Sequence, residues 1–264
     1  MKIAIIGTGN LGSSIAKGLI KNKTFTSLYL SDRNTTAVEV FNNEDYVTIT
    51  SDNALAVKES DVVIFALQPR HIDTVLERVS SSITENHIVM SVAAGFEISK
   101  IESIIGSDKN IIRVMPNTAI SIGKSMTCLA ANVKGQSKMD LAKKIFNQLG
   151  VTMVIPEEQI QAATVICASG IAFWMRLVRA TTQGAIQLGF ESDVAHELAV
   201  QTCFGSASLL IESGRHPEQE IDRVTTPSGC TIEGLNEMEH QGLSSSLIRG
   251  IVASFEKINQ LKNN

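Results

Sequence analysis

Up to about residue 156 the chain alternates short, unbroken apolar runs with longer amphipathic stretches; after Pro156 the runs stop. The runs lie at Lys2–Ile6, Ser27–Ser31, Asp61–Leu67, His87–Ala93, Asn110–Met115, Met126–Ala131 and Val151–Ile155. Most are rich in Val and Ile without alternation, the pattern of strands covered on both faces. Between them, Leu11–Lys21, Thr35–Asn42, Ile72–Val79 and Ser137–Leu149 show helical spacing, and Gly150 follows the last as a stop. This alternation predicts a doubly wound parallel sheet over residues 1–158.

The rest of the chain, 159–264, reads as all-helical. Ala162–Leu188 predicts a long helix closed by Gly189, and Asp193–Glu212 a second closed by Gly214. Pro217 stands at a helix start, where its missing N–H costs least. The last helix places Leu247, Ile251, Phe255 and Ile258 on one stripe. Leu198–Leu210 carries so few charges that a second subunit is expected to cover it, giving a homodimer; Trp174 is expected to pack at that interface.

Two loops carry the candidate chemistry. Ile3-Ala4-Ile5-Ile6 runs into Gly7-Thr8-Gly9-Asn10-Leu11-Gly12, a glycine triplet between a strand and a helix. In that context it is a dinucleotide fingerprint of the Rossmann type: Gly7 for the turn, Gly9 for backbone approach to a pyrophosphate, Gly12 for close packing. The helix from Asn10 offers free N–H groups and the positive end of its dipole. At the end of the second strand, Asp32 could accept from a ribose 2′-OH, which favours NAD(H). Arg33, with Ser31 and Asn34, could instead cradle a 2′-phosphate, which favours NADP(H). These residues leave both open, and NADP(H) is the expected cofactor ahead of NAD(H). The second loop, Thr225-Thr226-Pro227-Ser228-Gly229-Cys230-Thr231, opens a predicted helix and reads as a site for a small anion.

Composition narrows the classes. In 264 residues, 44% hydrophobic and 19% charged with a net charge of −4, there is nothing to attract nucleic acid or an anionic membrane. No apolar run approaches the roughly 20 residues that span a bilayer. Cys128, Cys167, Cys203 and Cys230 lack paired or metal-like spacing, which fits a reducing cytoplasm, and the five histidines are scattered, so no metal is expected.

Further blocks follow in fixed order: Ala66-Leu67-Gln68-Pro69, Ser91-Val92-Ala93-Ala94-Gly95, Arg113-Val114-Met115-Pro116-Asn117-Thr118-Ala119, and the Thr225–Thr231 loop continued by Ile232 with Gly234-Leu235. Together with the glycine loop they resemble the pyrroline-5-carboxylate reductase family over essentially the whole chain. The resemblance implies reduction of 1-pyrroline-5-carboxylate to L-proline by NADPH or NADH, and a helical dimerisation domain that completes its partner's active site, often in rings of dimers. It implies that Ala66, Leu67 and Pro69 line the nicotinamide ribose and that Asn117 lies beside the nicotinamide. Thr226, Gly229, Cys230 and Thr231 would hold the substrate, with Thr231 as the catalytic group at the ring nitrogen. The chain departs from the family at the start of the long helix, where Ser-Gly-Ser-Gly-Pro-Ala-Tyr is usual and Cys167-Ala168-Ser169-Gly170-Ile171-Ala172-Phe173 stands here. Gln68 replaces the usual Lys, and Ser228 the usual Gly.

The residues suit that chemistry. Water can protonate a cyclic imine near neutral pH, so no strong general acid is needed, and the late loop contains no His or Lys. Catalysis would rest on orientation and electrostatics. Cys230 has no adjoining base and reads as a small space-filling residue. Two other readings compete. A reductase of another cyclic imine or of a small hydroxy acid could share the architecture, although hydroxy-acid enzymes of this superfamily normally need a helical lysine and Ala162–Leu188 has none. A catalytically weak, NADP-binding regulatory protein would account for the altered Cys167–Phe173 segment but not for the intact Thr226–Thr231 loop.

Overall fold

The computed structural model describes residues 1–23 and 25–262. They form two compact units, Met1–Ala168 together with the end of the chain from Ile258, and Ser169–Lys257.

The first unit is built on an eight-stranded sheet: β1 (Lys2–Ile6), β2 (Ser27–Ser31), β3 (Val47–Thr50), β4 (Val62–Phe65), β5 (Ile88–Ser91), β6 (Asn110–Met115), β7 (Ser125–Ala131) and β8 (Gly150–Val154). Their order is β3-β2-β1-β4-β5-β6-β7-β8. β1 lies between β2 and β4, with Ile3 beside Leu28 and Val62. All pairs are parallel except β6–β7, where Met115 faces Cys128. The short helical turn Thr118–Ile122 that joins those strands is too brief for a crossover, so the chain doubles back.

Every residue of β4 and β5 is buried, as unbroken apolar runs require. One face of the sheet packs Ile5, Leu30 and Ile112 against Ile15, Leu19 and Phe146. The other packs Val63, Phe65 and Ile111 against Leu76 and Ile101. Burying each such side chain stabilises the fold by roughly 1.5–3 kcal/mol. The covering helices are α1 (Asn10–Asn22), α2 (Asn53–Lys58), α3 (Pro69–Val79), α4 (Ile98–Ile105), α5 (Met139–Phe146) and α6 (Ile160–Ala163). A π-helical stretch, Thr164–Ser169, follows α6. The helix expected over Thr35–Asn42 is a 3-10 turn, Thr36–Phe41, and the one over Ser137–Leu149 has 3-10 turns at both ends of α5.

The second unit holds α7 (Gly170–Gln187), α8 (Ser192–Ser213), α9 (Pro217–Val224), α10 (Cys230–His240) and α11 (Leu243–Lys262) as far as Lys257. Gly214 closes α8 with φ 61°, the left-handed cap that glycine accepts without penalty. α7 and α8 pack on each other, yet of α8 only Ala195 and Ala199 are buried. Trp174, Phe204 and Ile211 are 60%, 61% and 82% exposed in the single chain. By length and composition two helical stretches, Glu157–Gln187 and Ser192–Ser213, are apolar enough to cross a bilayer. That corrects the reading of short runs: weakly polar Thr, Ser and Gly interrupt each run but barely lower the average over 18 residues.

Candidate active site

The glycine loop joins β1 to α1 and fits a dinucleotide in several independent ways. Gly7 has φ 97°; a Cβ there would lie 2.6 Å from the Ala66 carbonyl oxygen and 2.8 Å from Leu67 Cδ2. At Gly12 a Cβ would meet the Gly7 carbonyl oxygen at 1.9 Å. At Gly9 it would meet nothing within 4 Å, so backbone faces open space where a pyrophosphate must approach. Gly9 is the N-cap of α1 and no side chain caps it. The N–H groups of Asn10, Leu11 and Gly12 therefore lie beyond the reach of any helical carbonyl. Thr8 is 1% exposed and its hydroxyl has no partner. An orphaned hydroxyl beside free N–H groups is the donor set an anion recruits.

Asp32 holds backbone on both of its oxygens. Its Oδ2 accepts from the Thr8 N–H at 2.6 Å and its Oδ1 from the Asn34 N–H at 3.1 Å. The carboxylate thus ties the end of β2 to the glycine loop. Ser31 is fully buried and donates to Asn53 Oδ1 at 2.6 Å. Arg33 is exposed and has no ion-pair partner among the described residues.

Ala66 and Leu67 follow β4 and pack on Gly7, and Pro69 opens α3 behind its N-cap Gln68. A cleft of about 380 Å³ is lined by Asn10, Leu11, Pro116, Asn117, Thr118 and Ala168. Asn117 lies in that wall, but its side chain is spent on structure. Oδ1 caps the following turn by accepting from the Ala119 N–H at 3.0 Å, and Nδ2 donates to the Cys167 carbonyl at 3.0 Å. A larger cavity of about 570 Å³ is lined by Pro69, Gly95, Lys100, Arg113, Thr164 and Ile258 among others.

Arg113 was only part of a motif in the sequence; here it is a structural link. It is 4% exposed and donates to Glu157 Oε1 at 3.2 Å, and the same oxygen accepts from the Ile98 N–H at 2.7 Å. Glu157 thus caps α4 and fixes the approach to α6. Nothing in the sequence pairs residues 44 positions apart, so this link was not legible.

In the second unit, Thr226-Pro227-Ser228-Gly229 forms a turn closed by the Gly229 N–H on the Thr226 carbonyl at 2.9 Å. Pro227 and a left-handed Ser228, φ 58°, occupy the central positions in the manner of a type II turn. A Cβ at Gly229 would lie 2.4 Å from Thr226 Oγ1, so a larger residue there would have to turn that hydroxyl aside. α10 starts at Cys230 with Gly229 as its N-cap, within the loop expected to open it. No side chain caps it, and the hydroxyls of Thr226 and Thr231 have no hydrogen-bond partner among the described residues. The loop therefore holds free N–H groups and two free hydroxyls at one helix end. Among the described residues no cluster of His, Cys, Asp and Glu could hold a metal ion.

Comparison with known proteins bears on both halves. The model of the NADP oxidoreductase, coenzyme F420-dependent, family matches residues 2–95, and that for pyrroline-5-carboxylate reductase dimerisation matches 157–261. The chain is 39% identical to pyrroline-5-carboxylate reductase 2 of Dictyostelium discoideum, over 97% of this chain and 91% of that one. The chain belongs to the pyrroline-5-carboxylate reductase family. It is 46% identical to pyrroline-5-carboxylate reductase 1 of the same organism over 97% of its own length, but spans about half, 49%, of that relative. A solved pyrroline-5-carboxylate reductase from Coxiella burnetii superposes with a TM-score of 0.91 at 29% identity, covering 98% of this chain and 97% of that one. In this family the exposed apolar faces of α7 and α8 fall within the stretch matched by the dimerisation model.

Proposed function

We propose that the chain reduces 1-pyrroline-5-carboxylate to L-proline, the last step of proline synthesis, using NADP(H) in preference to NAD(H). The observation that carries this reading is the uncapped start of α10, with its free hydroxyls, in a member of this family. When bound, the reduced nicotinamide supplies a hydride to the imine carbon. The chain's own residues bind and orient. Asn10, Leu11 and Gly12 present N–H groups to the phosphates, with the Thr8 hydroxyl as a further donor. Ala66, Leu67 and Pro69 wall the ribose, and Asn117 shapes the cleft beside it by holding Cys167. The N–H groups of Cys230, Thr231 and Ile232 lie at a positive helix end suited to the substrate carboxylate, assisted by the Thr226 hydroxyl. The Thr231 hydroxyl fixes the ring nitrogen.

NADP(H) is favoured because the Asp32 carboxylate already serves two backbone N–H groups, whereas Arg33 is exposed and unpaired. The working division is a dinucleotide domain over 1–158 and a helical substrate and dimerisation domain over 159–264. The exposed helices meet a second copy rather than lipid, with rings of dimers as the larger assembly and the cytoplasm as the compartment.

The test is NADPH and NADH oxidation with pyrroline-5-carboxylate, in the native chain and in Thr231→Ala. We expect imine-dependent turnover, faster with NADPH. Thr231→Ala should lower kcat/KM about ten- to hundredfold, as loss of one orienting hydrogen bond does, with NADPH affinity unchanged. Lost cofactor affinity with intact turnover would remove Thr231 from the substrate site. No turnover on this imine, with cofactor bound, would overturn the substrate.

A further inference from the structure

Resting on the imine-reductase reading above, we infer that the end of α11 from Ile258 is the wall that limits the size of the imine ring, with Ile258 as the specificity-determining residue. That end of the helix belongs to the sheet unit, as does every other residue of the cavity it lines.

The position of the cavity makes it a place for the reacting molecule. It measures about 570 Å³ and lies past the strand ends: Pro69 follows β4, Gly95 and Phe96 follow β5, and Arg113 stands in the second half of β6. Ligands of open wound sheets bind outside the carboxyl ends of their strands. A smaller cavity of about 150 Å³ connects this space with the glycine loop. It touches Leu11 of that loop and shares Ala94, Arg113 and Thr164 with the larger one. A substrate in the larger cavity therefore adjoins the path that leads from the dinucleotide loop.

Helix ends close the larger cavity. Gln161 lines it from α6, Thr164 from the start of the π-helical stretch, and Ile258 from α11. Gln161 Nε2 donates to Asn259 Oδ1, so α6 and the end of α11 are tied together at this wall. The charged side chains there are held by partners, Lys100 by Asp73 at 2.8 Å and Arg113 by Glu157 at 3.2 Å. The apolar edge of a ring is left to Pro69, Phe96 and Ile258. Pro69 opens α3, and Phe96 is 2% exposed within the core. Ile258 is half-buried, and its branched side chain has little rotamer freedom in a helix. A stiff apolar group on a tethered turn sets a fixed limit, where a long flexible side chain would fold aside.

The experiment measures kcat/KM with NADPH for pyrroline-5-carboxylate and for 1-piperideine-6-carboxylate, the six-membered ring with one more methylene. We expect the native enzyme to favour the smaller ring about tenfold or more, the range one methylene commands in an apolar pocket. Ile258→Ala should bring the two within about threefold of each other, through a lower KM for the larger ring. NADPH affinity by isothermal titration should not change. Titration of the saturated products, L-proline and L-pipecolate, should shift in the same sense as the substrates. Ile258→Val should stay near the native ratio, and Asn259→Leu, which breaks the tie to Gln161, should fall between. That second variant carries the test if Ile258→Ala fails to fold. A native enzyme indifferent to ring size, or a ratio unmoved by the variants, would overturn the proposal while leaving the reductase reading intact. Turnover of neither ring would overturn both.

Discussion

The two units carry the same device in opposite surroundings. Each has a helix that begins behind a glycine in extended conformation with no side-chain cap: Gly9 before α1, Gly229 before α10. The first is held by a sheet, with Gly7 and Gly12 pressed against each other and Ala66, and with Asp32 gripping the Thr8 N–H. The second is held by a four-residue turn in which Ser228 takes a left-handed conformation, and Thr226, Pro227 and Ser228 are exposed. A loop on a buried sheet is fixed before its ligand arrives. One on an uncovered helical unit depends on whatever covers that unit, and the unit falls within the stretch matched by the dimerisation model.

The largest expected effect breaks the comparison at its apolar surfaces. Phe204→Glu on α8 should shift the enzyme to monomers in size-exclusion chromatography, with association weakened by thirtyfold or more, since burying an unpaired charge at a contact costs about 2 kcal/mol or more. Val133→Glu changes a side chain 91% exposed in the sheet unit and should alter stability by no more than about 0.5 kcal/mol. Next comes the glycine loop. Gly12→Ala should lose about 1–3 kcal/mol of stability and all measurable NADPH binding, because its Cβ has no room beside Gly7. Gly9→Ala should melt like the native chain yet bind NADPH about tenfold more weakly or worse, since the space its Cβ fills belongs to the ligand. Isothermal titration beside thermal denaturation separates the two. Arg33→Ala should raise KM for NADPH about ten- to hundredfold and leave KM for NADH unchanged, the loss of a charge-assisted hydrogen bond to a phosphate. The smallest effect sharpens the comparison at the second loop: Ser228→Gly should raise stability by about 0.5–1 kcal/mol, removing left-handed strain at some cost in chain entropy.

Much of the sheet unit was legible because its strands are doubly covered. β1, β2 and β6 match the predicted runs residue for residue, and β4, β5, β7 and β8 lie within two residues at either end. β3, Val47–Thr50, was missed because it is a four-residue edge strand with Thr at alternate positions and no fully buried residue. α2, at six residues, is too short for periodicity to register, although Asp52 caps it through the Ala54 and Leu55 N–H groups. The β6–β7 reversal follows from a connection length that only its turn chemistry could betray. At the site, the glycine motif gave the backbone geometry, but it could not reveal that Asp32 and Asn117 also hold backbone partners. Those hydrogen bonds arise from the meeting of β2 with the glycine loop and of the Asn117 turn with the π-helical stretch, and sequence spacing carries no trace of either.

The uncovered apolar surface of α8 has its consequence at synthesis. The sheet half emerges first from the ribosome and can close its own core. The helical half follows with Phe204 and Ile211 facing water. Until that surface is covered, each new chain is open to clumping with other uncovered chains. The yield of working enzyme in a cell is then set by the race between pairing and clumping, more than by the stability of either half.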